Sequence, residues 1–140
     1  NLPPFTCVCV IVEEQGRYLV IERPHGQMVF PAGFVRWREL PARAAAREGK
    51  EETGLDLRIG EMIAYYPLIS HGITAMSTIS LVFHAELIGG ELRSSIEGRP
   101  QWLDELTLRE RLNPYARHIL DTYQRYRERQ QPSNEHSFEH

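Results

Sequence analysis

Three glutamates, Glu48, Glu51 and Glu52, stand at i, i+3 and i+4 in the run Arg47-Glu48-Gly49-Lys50-Glu51-Glu52. On an α-helix that spacing covers an arc of about 100°, so the three carboxylates share one edge. They also fall in the last turns of the helix that the surrounding residues predict, where the macrodipole disfavours anions by about 0.3–1 kcal/mol each. Repulsion between Glu48 and Glu52 adds about 0.2–0.5 kcal/mol, relieved in part by Arg47 and Lys50. Local helix physics opposes this arrangement. A divalent cation reverses the sign of the argument, because hard oxygen ligands crowded on one edge suit magnesium or manganese. Standing alone, the same run reads more simply as a solvated charged face.

The helix that must carry these side chains runs from Pro41 to Thr53. Proline suits its first position, alanine dominates its body, and Gly54 follows where a left-handed cap would sit. Leu40 occupies the N-cap position, a weak choice. Ala42, Ala45, Ala46 and Gly49 form one stripe at i, i+3, i+4 and i+7 with almost no bulk, which predicts a helix lying unusually close to the sheet beneath it. Gly49 costs about 1 kcal/mol against alanine in a helix interior and becomes intelligible as a close-approach position.

Strand patterns surround the helix. Phe5 to Glu13 is apolar or β-branched on both faces, with Cys7, Cys9 and Ile11 on one side and Val8, Val10 and Val12 on the other, as expected of a central strand. Gln15-Gly16 supplies a turn, and Arg17 to Arg23 returns as a hairpin partner that Pro24, His25 and Gly26 end. Met28 to Phe30 runs into Pro31-Ala32-Gly33, where a turn is expected rather than more strand. Two further strand stretches, Asp56 to Leu68 and Ser77 to Ile88, flank a loop containing His71 and Gly72. A loop is expected from Gly89-Gly90 through Pro100, then a short strand or turn and a brief helix over Trp102 to Leu112. Asn113-Pro114 opens a final helix with Tyr115, His118, Ile119, Thr122, Tyr123 and Tyr126 on one face. Residues 1–130 read as one domain, and the polar 131–140 segment as a disordered tail. Strands on both sides of one helix, with a second helix at the end, predict an α/β sheet covered on two faces.

The run does not stand alone. Gly33, five residues, Glu39, seven residues, then Arg47-Glu48-Gly49-Lys50-Glu51-Glu52-Thr53-Gly54-Leu55 resembles the Nudix box of the Nudix (MutT-like) hydrolases. Seven fixed positions at fixed separations make the match specific. The departures are Gly49 for the usual aliphatic residue, Leu40 for a small hydroxyl residue, and bulky Trp37-Arg38 before Glu39. The resemblance implies an α/β/α Nudix fold, a mixed β-sheet sandwiched between helices, and a pyrophosphatase that cuts P-O-P linkages. It implies metal-binding, catalytic roles for Glu48, Glu51 and Glu52, with the Ala32 carbonyl completing the set. Arg47 would orient Glu48, Glu39 would buttress the loop-helix junction, and Gly33 and Gly54 would be backbone devices. Glu97, in Glu97-Gly98-Arg99-Pro100, resembles a distal glutamate that serves some members as a further ligand or general base. Metal-bound phosphate oxygens and an acidified water would then be served by Glu52 or Glu97 as proton acceptor.

Substrate selection belongs on the neighbouring strands and loops. Arg23, His25 and Arg38 are candidates to meet outer phosphates, against the plainer reading of surface charge. Tyr65 and Tyr66 alternate on a strand, so one of them, taken as Tyr66, faces the site or else packs in the core. His71 is a loop candidate for phosphate contact. The expected partner is a small nucleotide-like molecule: a nucleoside di- or triphosphate or related pyrophosphate, with an ADP-ribose or dinucleoside polyphosphate hydrolase and a non-catalytic nucleotide sensor as alternatives.

Composition narrows the field further. With 25% charged residues and a net charge of -3, no polybasic surface for a long nucleic acid is expected. No apolar run approaches the roughly 18 residues of a membrane span, and no leader pattern opens the chain, which points to a cytoplasmic protein, monomer or homodimer. Cys7 and Cys9 lie at i and i+2 of a strand, a spacing that suits two reduced, buried thiols better than a disulfide or a Cys-x-Cys metal site.

Overall fold

The computed structural model describes residues 3–70 and 76–131. Its elements in chain order are β1 (Phe5–Glu14), β2 (Arg17–Glu22), β3 (Met28–Val29), β4 (Ala32–Phe34), α1 (Pro41–Thr53), β5 (Leu55–Ser70), β6 (Met76–Gly90), β7 (Arg99–Asp104), α2 (Glu105–Arg111) and α3 (Pro114–Gln130). The strands form one mixed sheet in the order β3-β2-β1-β6-β5, with β4 also paired to β1 and β7 to β2. Only β1 and β6 run parallel among these pairs, from Phe5↔Thr78 to Val12↔Ala85.

The two faces of β1 feed two cores, as its double apolar pattern predicts. Cys9 and Ile11 join Leu108, Ile119 and Leu120 under α2 and α3. Val8, Val10 and Val12 join Ala44, Ala45, Leu55 and Leu57 under α1. The result is an α/β/α sandwich. The β1–β2 hairpin closes on Gln15 (φ 52°) and Gly16 (φ 79°), two left-handed residues in a two-residue turn whose twist suits the flanking strands. Within the described residues no helix is long and apolar enough to cross a membrane.

Several expectations shift. Pro31-Ala32-Gly33 does not make a simple turn: Ala32, Gly33 and Phe34 pair with Cys9, Val8 and Cys7 of β1. The Pro31 carbonyl accepts from the Val10 amide at 2.9 Å, so β1 captures the segment as soon as the proline is passed. β7 begins at Arg99, inside the loop expected to run through Pro100, because Pro100 lies opposite Ile21 at the margin of the sheet. On α1 the buried face comprises Ala44, Ala45, Gly49, Glu52 and Thr53, and Ala42 is exposed. The packed face follows Ala45, Gly49 and Glu52 at i, i+4 and i+7, with Ala44 and Thr53 beside them, and Ala42 lies off that line. The tail beyond Gln131 lies outside the described residues.

Candidate active site

Helix α1 presents the acidic edge because its boundaries are fixed at both ends. Pro41 starts it and Leu40 gives no side-chain cap, as expected, while Gly54 closes it at φ 83° with its amide on the Lys50 carbonyl. Gly49 sits where an added Cβ would come within 2.6 Å of Leu57 Cδ1. Its missing side chain lets α1 settle onto β5, which is the close approach predicted. Gly33 has a comparable purpose on the other side of the site. An added Cβ there would fall closer than 3.0 Å to all three atoms of the Glu48 carboxyl group. Gly33 therefore makes room for the Glu48 side chain rather than for a positive φ.

Arg47 organises the acids around it. Its Nε donates to Glu39 Oε2 at 2.8 Å and its Nη2 to Glu39 Oε1 at 2.9 Å, a two-pronged grip. Nη1 reaches Glu48 Oε1 at 2.8 Å and Glu51 Oε2 at 3.4 Å, and Nη2 also meets the Phe34 carbonyl at 3.1 Å. Hydrogen bonds from Arg47 hold the Glu39 carboxyl down at about 2. Glu39 in turn accepts from the Arg36 amide at 3.0 Å, so one carboxylate ties the loop before α1 to the helix itself.

The three glutamates differ sharply in environment. Glu52 is buried, and the Glu48 side chain is nearly so, whereas Glu51 is half exposed between Arg47 and Arg36. Glu52 Oε1 accepts from the Ala32 amide at 3.2 Å. Burial first, and then its hydrogen bond and charge repulsion with Glu48, push the Glu52 carboxyl up to about 9, with the Glu97 charge acting in the same direction. Among the described residues no three acidic, histidine or cysteine side chains are already drawn together as ligands. Glu51 is paired instead with Arg47 and Arg36, at 3.4 and 3.6 Å. The donor set nevertheless fits a hard divalent cation: two adjoining, poorly hydrated carboxyl groups carry an unfavourable repulsion that such an ion would relieve.

The other predicted residues divide between the rim of this site and places away from it. Arg23 and Glu97 come together at 3.6 Å, brought there by the β2–β7 pairing that sets Glu22 opposite Arg99. His25 is exposed in the following turn, its Nδ1 accepting from the Gln27 amide at 3.3 Å. Arg38, at φ 62°, stacks over the Trp37 ring at 5.3 Å, so the two bulky loop residues engage each other. Tyr66 lies on the α3 side of the sheet: its hydroxyl meets Thr122 Oγ1 at 2.6 Å and its ring packs on Tyr115 and His118. That is the core use of the aromatic, and Tyr65 is exposed on the other face. His71 falls outside the described residues. Cys7 and Cys9 are both free, with Cys9 buried.

One part of the site has no local signature. A cavity of about 180 Å³ opens between the sheet and α3, lined by Cys7, Cys9, Leu68, Ser80, Tyr115 and Ile119 among others, and Ala32 lies on its wall. The Ala32 amide thus touches Glu52 while its residue borders the cavity, which sets a half-open, mostly apolar recess directly beside the acidic edge. Ser80 on β6 and Asn113 at the start of α3 line it from elements far apart in sequence. The sequence marks Asn113 only as the opening of a helix.

A NUDIX domain model matches residues 3–123. A MutT-like protein of Streptomyces ambofaciens is 35% identical over 125 residues, spanning 85% of this chain and 78% of that one. An ADP-ribose pyrophosphatase of Methanocaldococcus jannaschii is 29% identical over 130 residues, spanning 90% and 76% respectively. Among solved structures, a NUDIX hydrolase from Nitrosomonas europaea superposes with a TM-score of 0.77 at 26% identity, covering 95% of this chain and 77% of that chain.

Proposed function

The chain belongs to the NUDIX domain family and is a Nudix pyrophosphohydrolase, and from that premise we propose that it is a magnesium-dependent hydrolase of a nucleoside di- or triphosphate, or of another substrate in which a diphosphate joins a nucleoside to a second group. The observation that carries the reading is the contact between Glu52 and Ala32, which places the buried acid pair next to a recess sized for a ring. Glu48, Glu51, Glu52 and the Ala32 carbonyl are the groups that would hold magnesium, with manganese as the alternative ion. When bound, the ion supplies charge neutralisation on phosphate oxygens and a more acidic water.

The chain's own residues do the remainder. Arg47 positions Glu48 and Glu51, and Glu39 keeps Arg47 in place. Water attacks phosphorus, the P-O-P bond breaks, and the departing phosphate keeps the bonding pair while Glu52 or Glu97 accepts the proton of the water. Glu97 stands close enough for its charge to act on Glu52, which supports a role as base or additional ligand. Arg23 pairs with it, and Arg23, His25 and Arg38 would meet the outer phosphates. The recess takes the substrate's ring.

A panel of nucleoside triphosphates, ADP-ribose, dinucleoside polyphosphates and capped RNA, incubated with magnesium and resolved by chromatography, tests the reading. Release of phosphate or mononucleotide from at least one of them is the expected result, and no turnover of any would refute it. ADP-ribose is in the panel because of the Methanocaldococcus relative's name.

A further inference from the structure

Glu22, the last residue of β2, gathers partners from two other elements. Its Oε1 accepts from Arg99 Nη2 at 2.8 Å and from Gln101 Nε2 at 3.3 Å, both on β7, and its Oε2 accepts from Arg111 Nη2 at 2.8 Å at the end of α2. The same Arg111 nitrogen meets the Gly26 carbonyl at 3.4 Å, in the turn that carries His25. Arg111 first, then Arg99 and Gln101, hold the Glu22 carboxyl down at about 2, so it is fully charged near neutral pH. An isolated surface ion pair fixes little, but one carboxylate shared by two guanidiniums and an amide clamps the end of β2 to β7 and α2.

That clamp seats the turn bearing Glu97. Ser95 and Gly98 close the turn through two backbone hydrogen bonds of 3.0 and 3.1 Å, and Ser95 Oγ accepts from the Glu97 amide at 3.1 Å. Gly98, at φ 146°, lies so tightly on β2 that an added Cβ would fall closer than 3.0 Å to the Glu22 carbonyl oxygen and to Ile21 Cγ2. The next residue, Arg99, stands opposite Glu22 in the β2–β7 register and is its ion-pair partner. Glu22 itself follows Tyr18 and Val20 onto the α2 and α3 side of the sheet, whereas Leu19 packs under α1. Its influence on the acidic edge of α1 must therefore pass through the turn.

We infer that Glu22 is a positioning residue for Glu97: by clamping Arg99 and Arg111 it seats the Ser95–Gly98 turn on β2, and that seat aims the Glu97 carboxylate at the acidic edge of α1. The inference rests on the reading of Glu97 as base or additional ligand given above. The pair between Glu97 and Arg23 does not do this alone, because at 3.6 Å, with side chains 46% and 41% exposed, it is a loose surface contact. The backbone of the turn supplies the aim.

Glu22→Gln keeps the shape and removes the charge that the two arginines share. In E22Q kcat should fall about tenfold, less than the roughly 10²-fold of a full ångström of misplacement, with KM within about twofold of the wild-type value. Glu97→Gln should cost about 10²-fold or more, and adding E22Q to E97Q should then change kcat by less than about twofold, since no carboxylate remains to be aimed. Losses that multiply in the double variant, or an E22Q kcat within about twofold of wild type, overturn the inference. Arg99→Gln, at an exposed position, carries the same test if E22Q does not fold: a loss of kcat that vanishes in the E97Q background upholds the inference, and one that persists there overturns it. Full turnover in E97Q overturns it while leaving the hydrolase reading standing. If the chain turns over no substrate, the hydrolase reading fails, and nuclear magnetic resonance with Mn²⁺ still decides the matter. Broadening of the Glu97 amide signal that weakens in E22Q, while that of Glu52 is kept, upholds the assignment; equal broadening in both chains, or none at Glu97 in the wild-type chain, overturns it.

Discussion

The Ala32 amide donates to Glu52 Oε1 at 3.2 Å, across twenty residues of sequence and between a short strand and the acidic edge of α1. This bond opposes the burial and the Glu48 repulsion that raise the Glu52 carboxyl. The folded chain therefore binds a proton at Glu52 that the unfolded chain releases near 4.5. The sign follows: a raised carboxyl contributes stability that is present below pH 4.5 and is lost as pH rises toward about 9. Thermal unfolding in chelator should show Tm falling across that interval from this site. Magnesium, which replaces the proton, should restore Tm at the alkaline end. A magnesium-independent profile would contradict this.

Gly33 leaves its space to Glu48. Gly33→Ala should push the Glu48 carboxyl aside and lower kcat by about 10²-fold, the scale of an ångström-size misplacement. Far-ultraviolet circular dichroism should be unchanged, because Gly33 has no left-handed backbone to lose. Near-normal turnover in G33A would show that Glu48 is free to move.

Arg47 engages three carboxylates and a carbonyl, which a lysine's single ammonium cannot reproduce. Arg47→Lys should lower kcat more than it raises KM. It should also change acid tolerance. The Glu39 carboxyl, held at about 2 by Arg47, contributes stability present above its ordinary value near 4.5 and lost as pH falls through about 2. In R47K that loss should begin closer to pH 4.5, readable as a fall in Tm between pH 5 and pH 3 that the wild-type chain resists.

Burial raises both thiols, Cys9 to about 12. Since the thiolate is the nucleophile, alkylation by iodoacetamide at neutral pH should be slow for Cys7 and slower for Cys9 in the folded chain. Both should react readily in urea. Mass spectrometry of digests resolves the two sites, and rapid modification of folded Cys9 would be inconsistent with its place in the core.

Much of this was legible in the sequence because it is local. The i, i+3, i+4 glutamates, the Pro41 start, the Gly54 cap and the two-faced β1 all depend on neighbours a few residues away, and each appears where its pattern puts it. The packed face of α1 was less legible. Ala42, Ala44, Ala45 and Ala46 are interchangeable in bulk, so bulk alone does not tell that Ala44 and Ala45 are the buried pair. The recess beside Ala32 was not legible at all. Ser80, Asn113 and Tyr115 meet there only through the order of β6 and α3 in the fold, and the aromatic singled out by strand alternation, Tyr66, is the one that braces Tyr115.

We propose that the Glu48–Glu52 pair on α1 serves a divalent cation in cutting a diphosphate. The most direct test is the magnesium dependence of phosphate or mononucleotide release by the wild-type chain and by Glu52→Gln, which retains size and shape without the charge. Turnover that saturates with magnesium and drops by about 10³-fold or more in a folded E52Q is the predicted result. Turnover in E52Q within a factor of about two of the wild-type chain, at any magnesium concentration, would contradict the account.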